Sequence, residues 1–234
     1  MQALFFDVDD TLYDQFVPFK RAIEEQLDFR EAELEELYLE FRKVSDAYFH
    51  LSESGEISME DMRVLRIKRA CQQFKHELSR EQALAFQTDY VRFQGEIELR
   101  EEMKEALQFC QQENILIGVI TNGPTAHQWR KVHQLGLSEW ISEEHIFISA
   151  QVGIAKPDVR LFRYVEQKLG IEPNQAIYVG DSYANDIVGA KDAGWQAIWL
   201  NYRNHLATEA ISRQDYLLEG NQPVTPLLKK LFLN

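Results

Sequence analysis

Asp7-Val8-Asp9-Asp10-Thr11 places two carboxylates two positions apart, directly after a short apolar run. If extended backbone continues through them, residues i and i+2 point the same way and both acids address one site. Two ionised carboxylates so placed repel, and one is driven toward its neutral form. A divalent cation removes that repulsion. Hard oxygen ligands with several waters retained suit magnesium, a substrate phosphate completing its octahedron. The chemistry that wants this arrangement is phosphoryl transfer through an aspartyl-phosphate. Asp7 would attack phosphorus in line; Asp9 would protonate the leaving oxygen and later deprotonate the water that cleaves the acyl-phosphate.

Three further polar clusters are present: Thr121-Asn122-Gly123 after an apolar run, Lys156-Pro157-Asp158 before a helical stretch, and Gly180-Asp181-Ser182 after another apolar run, with Asp186 beyond it. Thr121, the Asn122 backbone amide and the Lys156 ammonium would hold the transferring phosphoryl oxygens, where preorganised donors stabilise developing charge. Asp181 adds a carboxylate for the metal. Pro157 holds Lys156 to extended backbone and is expected to open the next helix at its first position. Asp186 is expected one layer behind the metal carboxylates, with pairing to Lys156 and a helix-dipole role as alternatives. Any one aspartate could instead be a turn or helix cap, and a lone lysine is usually solvated. The argument is their joint occurrence, each at the end of a different strand. The six histidines show no catalytic pairing, and His127 is expected at the surface.

Elements that could position these clusters are legible as two textures. Residues 3–6, 115–120, 146–148, 176–179 and 197–200 are short runs apolar on both faces, as central parallel strands are. Helical stretches over 126–134, 159–169 and 185–193 separate the later runs, with Gly170 and Gly194 at the C-terminal cap positions. This alternation predicts an α/β fold with a doubly wound parallel sheet. In such sheets ligands sit beyond the carboxyl ends of the strands, where strand order reverses.

Residues 15–95 read differently. Leu34, Leu37, Tyr38, Phe41, Val44, Tyr48 and Leu51 recur at helical spacing among acidic residues. Ser58 with Asp61, and Ser79 with Gln82, resemble capping boxes. An all-helical cap, 15–95, inserted into a core of 1–14 and 96–234, is the expected organisation. Phe41, Tyr48, Phe49, Phe86, Tyr90 and Phe93 are expected in its core.

The 234 residues carry a formal net charge of −13, which argues against a nucleic-acid polymer as partner. It leaves room for a small phosphorylated metabolite, since one cation and one lysine invert the local sign. Hydrophobic residues make up 45% of the chain, enough for a buried core. No apolar run approaches ~18 residues, so no membrane association is expected. Cys71 and Cys110 lack metal-ligand spacing and read as buried free thiols, with the cytoplasm as the expected compartment.

The four clusters together resemble the motifs of the haloacid dehalogenase superfamily: Asp-x-Asp-x-Thr at Asp7 to Thr11, the threonine at Thr121, the lysine at Lys156, and the paired aspartates Asp181 and Asp186 after Gly180. The resemblance implies a Rossmann-like core, a helical cap of the family's first type, and Mg²⁺ held by Asp7, the backbone carbonyl of Asp9 and Asp181. The name-giving dehalogenases lack the second aspartate, so Asp9 points to phosphate chemistry. Residues 120–128, 152–158 and Trp199-Leu200-Asn201 further resemble bacterial pyrimidine 5′-nucleotidases of this superfamily. That implies a phosphomonoester hydrolase acting on nucleoside 5′-monophosphates. A sugar phosphomutase or general sugar-phosphate phosphatase is the alternative, and a non-catalytic phosphometabolite sensor is disfavoured by the intact set of reactive residues.

Overall fold

Apolar runs without polar alternation become strands buried on both faces. β1 (Ala3–Phe6), β2 (Leu116–Thr121), β3 (Ile146–Ile148), β4 (Ala176–Gly180) and β5 (Gln196–Asn201) are buried almost throughout. A further strand, β6 (Tyr216–Glu219), lies at the sheet edge, where its residues alternate between half-buried and exposed. It was not expected from the sequence, because four residues with one solvated face do not stand out from a polar segment. Every pairing is parallel and the order is β3-β2-β1-β4-β5-β6. The chain steps from β1 outward to β3, then returns to place β4 on the other side of β1. The carboxyl ends of β1 and β4 therefore flank the topological switch point, where an open parallel sheet leaves a crevice. The register sets Phe6 opposite both Val119 and Val179, so Asp7 leaves the sheet between two neighbouring strand ends.

The structure is a computed structural model that describes residues 2–203, 213–220 and 222–233, with the backbone alone for 49, 50 and 53. Its contacts divide the chain into two compact units, 1–14 with 98–234, and 15–97. The second unit is helical: α1 (Phe16–Gln26), α2 (Leu34–Glu53), α3 (Met59–Gln73) and α4 (Arg80–Gln94). Ser79 and Gln82 form a reciprocal capping box at the start of α4, and Ser58 accepts from the Asp61 amide at the start of α3. Phe19, Phe41, Phe86 and Tyr90 are fully buried and meet edge-to-face, tilted or stacked, with centroids 4.9 to 6.4 Å apart. Phe93 joins this core, and Tyr48 is half-buried. The Phe49 side chain lies outside the described residues.

In the sheet unit, α5 (Glu101–Gln112), α6 (Thr125–Gln134), α7 (Ser149–Val152), α8 (Val159–Leu169), α9 (Val188–Asp192) and α10 (Thr225–Phe232) accompany the strands. Gly170 ends α8 in the left-handed region, φ 65°, a conformation that glycine adopts without steric cost. Phe5, Phe162, Tyr178 and Trp195 pack in one aromatic cluster beneath the strand ends. The helix expected over 185–193 is interrupted. Tyr183–Ile187 form a wide π-type turn, which delays the regular helix until Val188. Such widened turns favour functional positions. Among the described residues no helix is long and apolar enough to cross a membrane.

Candidate active site

Each strand end at the switch point delivers one reactive side chain. Asp7 follows β1 and donates its amide to the Val179 carbonyl at 3.0 Å, which fixes its backbone against β4. Lys156 arrives from the loop between α7 and α8. Its Nζ lies 2.6 Å from Asp7 Oδ1, 2.6 Å from Asp186 Oδ1 and 2.8 Å from the Tyr178 hydroxyl. Tyr178 in turn donates to the Ile120 carbonyl at 2.6 Å. All four side chains are buried. A buried ammonium is costly unless paired and hydrogen-bonded on all sides, and here all its donors have acceptors. Burial works to lower the Lys156 pKa, but Asp186 and Asp7 outweigh it and hold the lysine well above its usual range. Asp7 moves the other way from an ordinary acid. Burial first, then the charges of Asp186 and Asp9, carry its pKa to about 7 against the pull of Lys156.

Asp186 reaches the lysine because the π-type turn folds it back over its own start. Its Oδ2 accepts the Ser182 amide at 3.0 Å while Oδ1 faces Lys156. A Cβ at Gly180 would run into the Asp186 carboxyl, so β4 can end beside it only with glycine. Asp186 pairs with Lys156, one of the three roles considered for it, and it also offers a ligand atom close to those of Asp7 and Asp181. Oxygens from these three acids lie within 4.8 Å of one another. That donor set, hard, anionic and partly buried, fits a divalent cation such as Mg²⁺.

The Asp9 carboxylate lies outside this triad. β1 closes at Phe6, so strand alternation does not by itself carry Asp7 and Asp9 onto one face, although the Asp9 charge lies close enough to help raise the pKa of Asp7. Asp9 instead accepts from Lys131 Nζ at 2.6 and 2.7 Å, from Gln128 Nε2 at 3.1 Å, and from the Tyr13 hydroxyl. Sequence reading missed Tyr178, Gln128 and Lys131. The last two stand one turn apart on α6, a spacing that sets them on one face, which was the available signal.

Thr121 ends β2 with its Oγ1 buried and without a hydrogen-bond partner among the described residues. An orphaned buried hydroxyl is uncommon and suits a site built for an oxyanion. Asn122 is half-buried and binds the Lys156 loop reciprocally: its Nδ2 donates to the Lys156 carbonyl at 3.0 Å and its Oδ1 accepts the Lys156 amide at 2.9 Å. Asp181 is half-buried, and its carbonyl accepts from Trp199 Nε1 at 2.8 Å. Pro157 does not open α8 as expected. Asp158 is the N-cap, accepting the Arg160 amide at 2.9 Å, and Pro157 precedes it through a cis peptide bond. His127 is half-buried and not simply a surface residue.

Comparison with known proteins follows the same lines. The family model for haloacid dehalogenase-like hydrolases matches residues 1–194. Glyceraldehyde 3-phosphate phosphatase of Pyrococcus furiosus is 32% identical over 117 residues, 49% of this chain and 48% of that protein. Pyrimidine 5′-nucleotidase YjjG of Escherichia coli K12 is 35% identical over 100 residues, 42% of this chain and 44% of that one. The chain thus matches about half the length of these relatives. The magnesium-bound crystal structure of the HAD-hydrolase YfnB from Bacillus subtilis superposes with a TM-score of 0.73 at 22% identity, covering 100% of this chain and 99% of that one. That likeness concerns the fold.

Proposed function

Since the chain belongs to the haloacid dehalogenase-like hydrolase family, we propose that it hydrolyses small phosphomonoesters through an aspartyl-phosphate on Asp7. The observation that carries this reading is the buried bridge of Lys156 between Asp7 and Asp186, 2.6 Å to each. It fixes one oxygen of the nucleophile and sets a cation beside the incoming phosphoryl group. An Asp7 oxygen attacks phosphorus, the ester P–O bond breaks, and Asp9 gives its proton to the leaving alkoxide. Asp9 then takes a proton from water as that water attacks phosphorus. The acyl-phosphate bond breaks, releasing inorganic phosphate and restoring Asp7. Thr121, the Asn122 amide and Lys156 hold the non-bridging oxygens; such positioning and charge neutralisation supply most of the catalysis in phosphoryl transfer.

Mg²⁺ would be held by Asp7, Asp181 and the Asp9 carbonyl, with Asp186 behind them, and would neutralise charge on the transferring phosphoryl group. The Bacillus subtilis structure was bound to magnesium, which supports the choice of metal. We further propose that the helical unit is a cap domain of the family's first type, and that nucleoside 5′-monophosphates are substrates, on the likeness to the pyrimidine nucleotidase. A phosphorylated three-carbon sugar is the second reading, favoured by the archaeal glyceraldehyde 3-phosphate phosphatase. The test is phosphate release from a panel of pyrimidine monophosphates, triose phosphates and hexose phosphates, with and without Mg²⁺. Release that needs Mg²⁺ and disappears in Asp7→Asn supports the mechanism. Undiminished release by Asp7→Asn refutes it, and a strong preference for sugar phosphates over every nucleotide removes the nucleotide reading. Conversion of a hexose 1-phosphate to its 6-phosphate without free phosphate would make it a mutase.

A further inference from the structure

Lys131 is 3% exposed on α6, and both its short contacts among the described residues are the two oxygens of Asp9. A lysine normally carries its ammonium to water; this one is held at the carboxylate of a loop residue far away in sequence. Gln128 lies one turn earlier and is 2% exposed. Its Nε2 donates both to Asp9 Oδ2 at 3.1 Å and to the Asn122 carbonyl at 2.9 Å. Its Oε1 is buried without a hydrogen-bond partner among the described residues. The amide is thus committed as a double donor, since turning over would set its oxygen against two acceptors, the Asp9 carboxylate and the Asn122 carbonyl. The Tyr13 hydroxyl closes the remaining side of the carboxylate. An aspartate on a free loop samples several rotamers. This one is gripped at both oxygens from a single helix, and the same helix is tied to the Asn122 loop.

We infer that Lys131, assisted by Gln128, is the positioning residue for Asp9, holding its carboxylate where it exchanges protons with the leaving oxygen and the attacking water. The inference rests on the acid/base role given to Asp9 above. A misplaced acid/base forfeits catalysis even when its chemistry is intact, because proton transfer needs hydrogen-bond reach. Lys131 therefore contributes through Asp9 and touches no reacting atom itself.

Leaving groups separate this role from simple stapling of α6. Acid catalysis matters greatly for a poor alkoxide leaving group and little for nitrophenolate, whereas the attack of water needs the base in both cases. With Mg²⁺ present, Lys131→Met should lower kcat on an alkyl phosphate by about 10²-fold, within the usual range for acid/base assistance, with KM changed less than about twofold. On 4-nitrophenyl phosphate, rapid mixing should show a stoichiometric burst of nitrophenolate followed by slow turnover, because only the second step is impaired. Lys131→Arg should restore most of the rate, and Gln128→Met should give a weaker version of the same pattern in a protein that keeps the ion pair. Asp9→Asn serves as the control. If Asp9→Asn keeps full turnover, the acid/base assignment itself fails. If Asp9→Asn is inactive while Lys131→Met and Gln128→Met turn over normally, faster than wild type, or equally slowly on both substrates without a burst, the positioning role is overturned.

Discussion

Replacing Lys156 by methionine keeps the length and apolar stem of the side chain and removes its charge. The ammonium sits 2.6 Å from both Asp7 and Asp186 and 2.8 Å from Tyr178. Its loss leaves two buried carboxylates, with Asp181 nearby, facing one another. Removing one partner of a buried ion pair costs about 3–5 kcal/mol, a large share of the ~5–15 kcal/mol that holds a domain together. For a chain of this size each kcal/mol moves the melting temperature by about 2–4 °C. The metal-free variant should therefore melt roughly 6–20 °C below the metal-free wild type, from the product of those two ranges. The sign of the pH dependence follows from Asp7. Its folded pKa, about 7, stands above the 3.8 of an ordinary aspartate, so between those values the native state binds more protons than the unfolded one. Stability from this group is fully present below the unfolded pKa and is lost as pH rises through about 7, by at most about 1.4 kcal/mol per pH unit. Without the lysine, which lowers Asp7, the window extends further upward, so the deficit of the variant should grow from pH 6 to pH 9. Calorimetry in EDTA measures it. Adding Asp186→Asn to Lys156→Met removes one of the stranded charges and should recover part of the loss, a coupling expected of residues in contact. A drop under about 2 °C at pH 8, or a double variant less stable than the single one, would refute the electrostatic account of the site.

Mg²⁺ should raise the melting temperature of the wild type, with about 2.7 kcal/mol of stabilisation at a hundredfold excess over its dissociation constant. Asp7→Asn should lose most of that response; a metal response independent of Asp7 in a thermal titration would place the cation elsewhere. Gly180→Ala puts a Cβ into the Asp186 carboxyl; displacing that group should lower both stability and kcat, by about 1–3 kcal/mol for the overpacking, and a neutral melting shift with normal kcat would contradict it. Cys71 and Cys110 are buried, and burial pushes both thiols up to about 12 from 9.0. Both should resist a thiol reagent at pH 8 and react fully in denaturant, and their contribution to stability should fall as pH rises from 9 through about 12. Fast labelling of the native protein at pH 8 would show that the thiols are not shielded.

The two classes of residue in this site differ in how visible they are before folding. Asp7 and Asp181 could be singled out because each is a polar residue where an apolar run ends, and Lys156 and Asp186 because they stand in polar clusters near such ends; the topology of a parallel sheet brings strand ends together whatever the rest of the chain does. The central strands were legible for a related reason: short continuous apolar runs bounded by polar or glycine-containing segments suit strands buried on both faces. β6 was not, since an edge strand with one wet face carries half the signal. The π-type turn at Tyr183–Ile187 was not legible either, because its sequence fits a regular helix and only the demand of placing Asp186 against both Ser182 and Lys156 distorts it. Lys131, Gln128 and Tyr178 belong to the second class. A buried lysine on a surface-like sequence, Trp129-Arg130-Lys131-Val132, is indistinguishable from a solvated one until its acceptor is known. Its acceptor, Asp9, lies beyond a different strand, 122 positions away. Sequence spacing discloses partners within a helix turn or along a strand. It does not disclose which helix face a sheet will bury against which loop. The residues that carry the chemistry were thus readable from local pattern, while those that orient them depend on tertiary contacts, and for that reason Lys131→Met is the more searching test of the structure than any substitution in the four motifs.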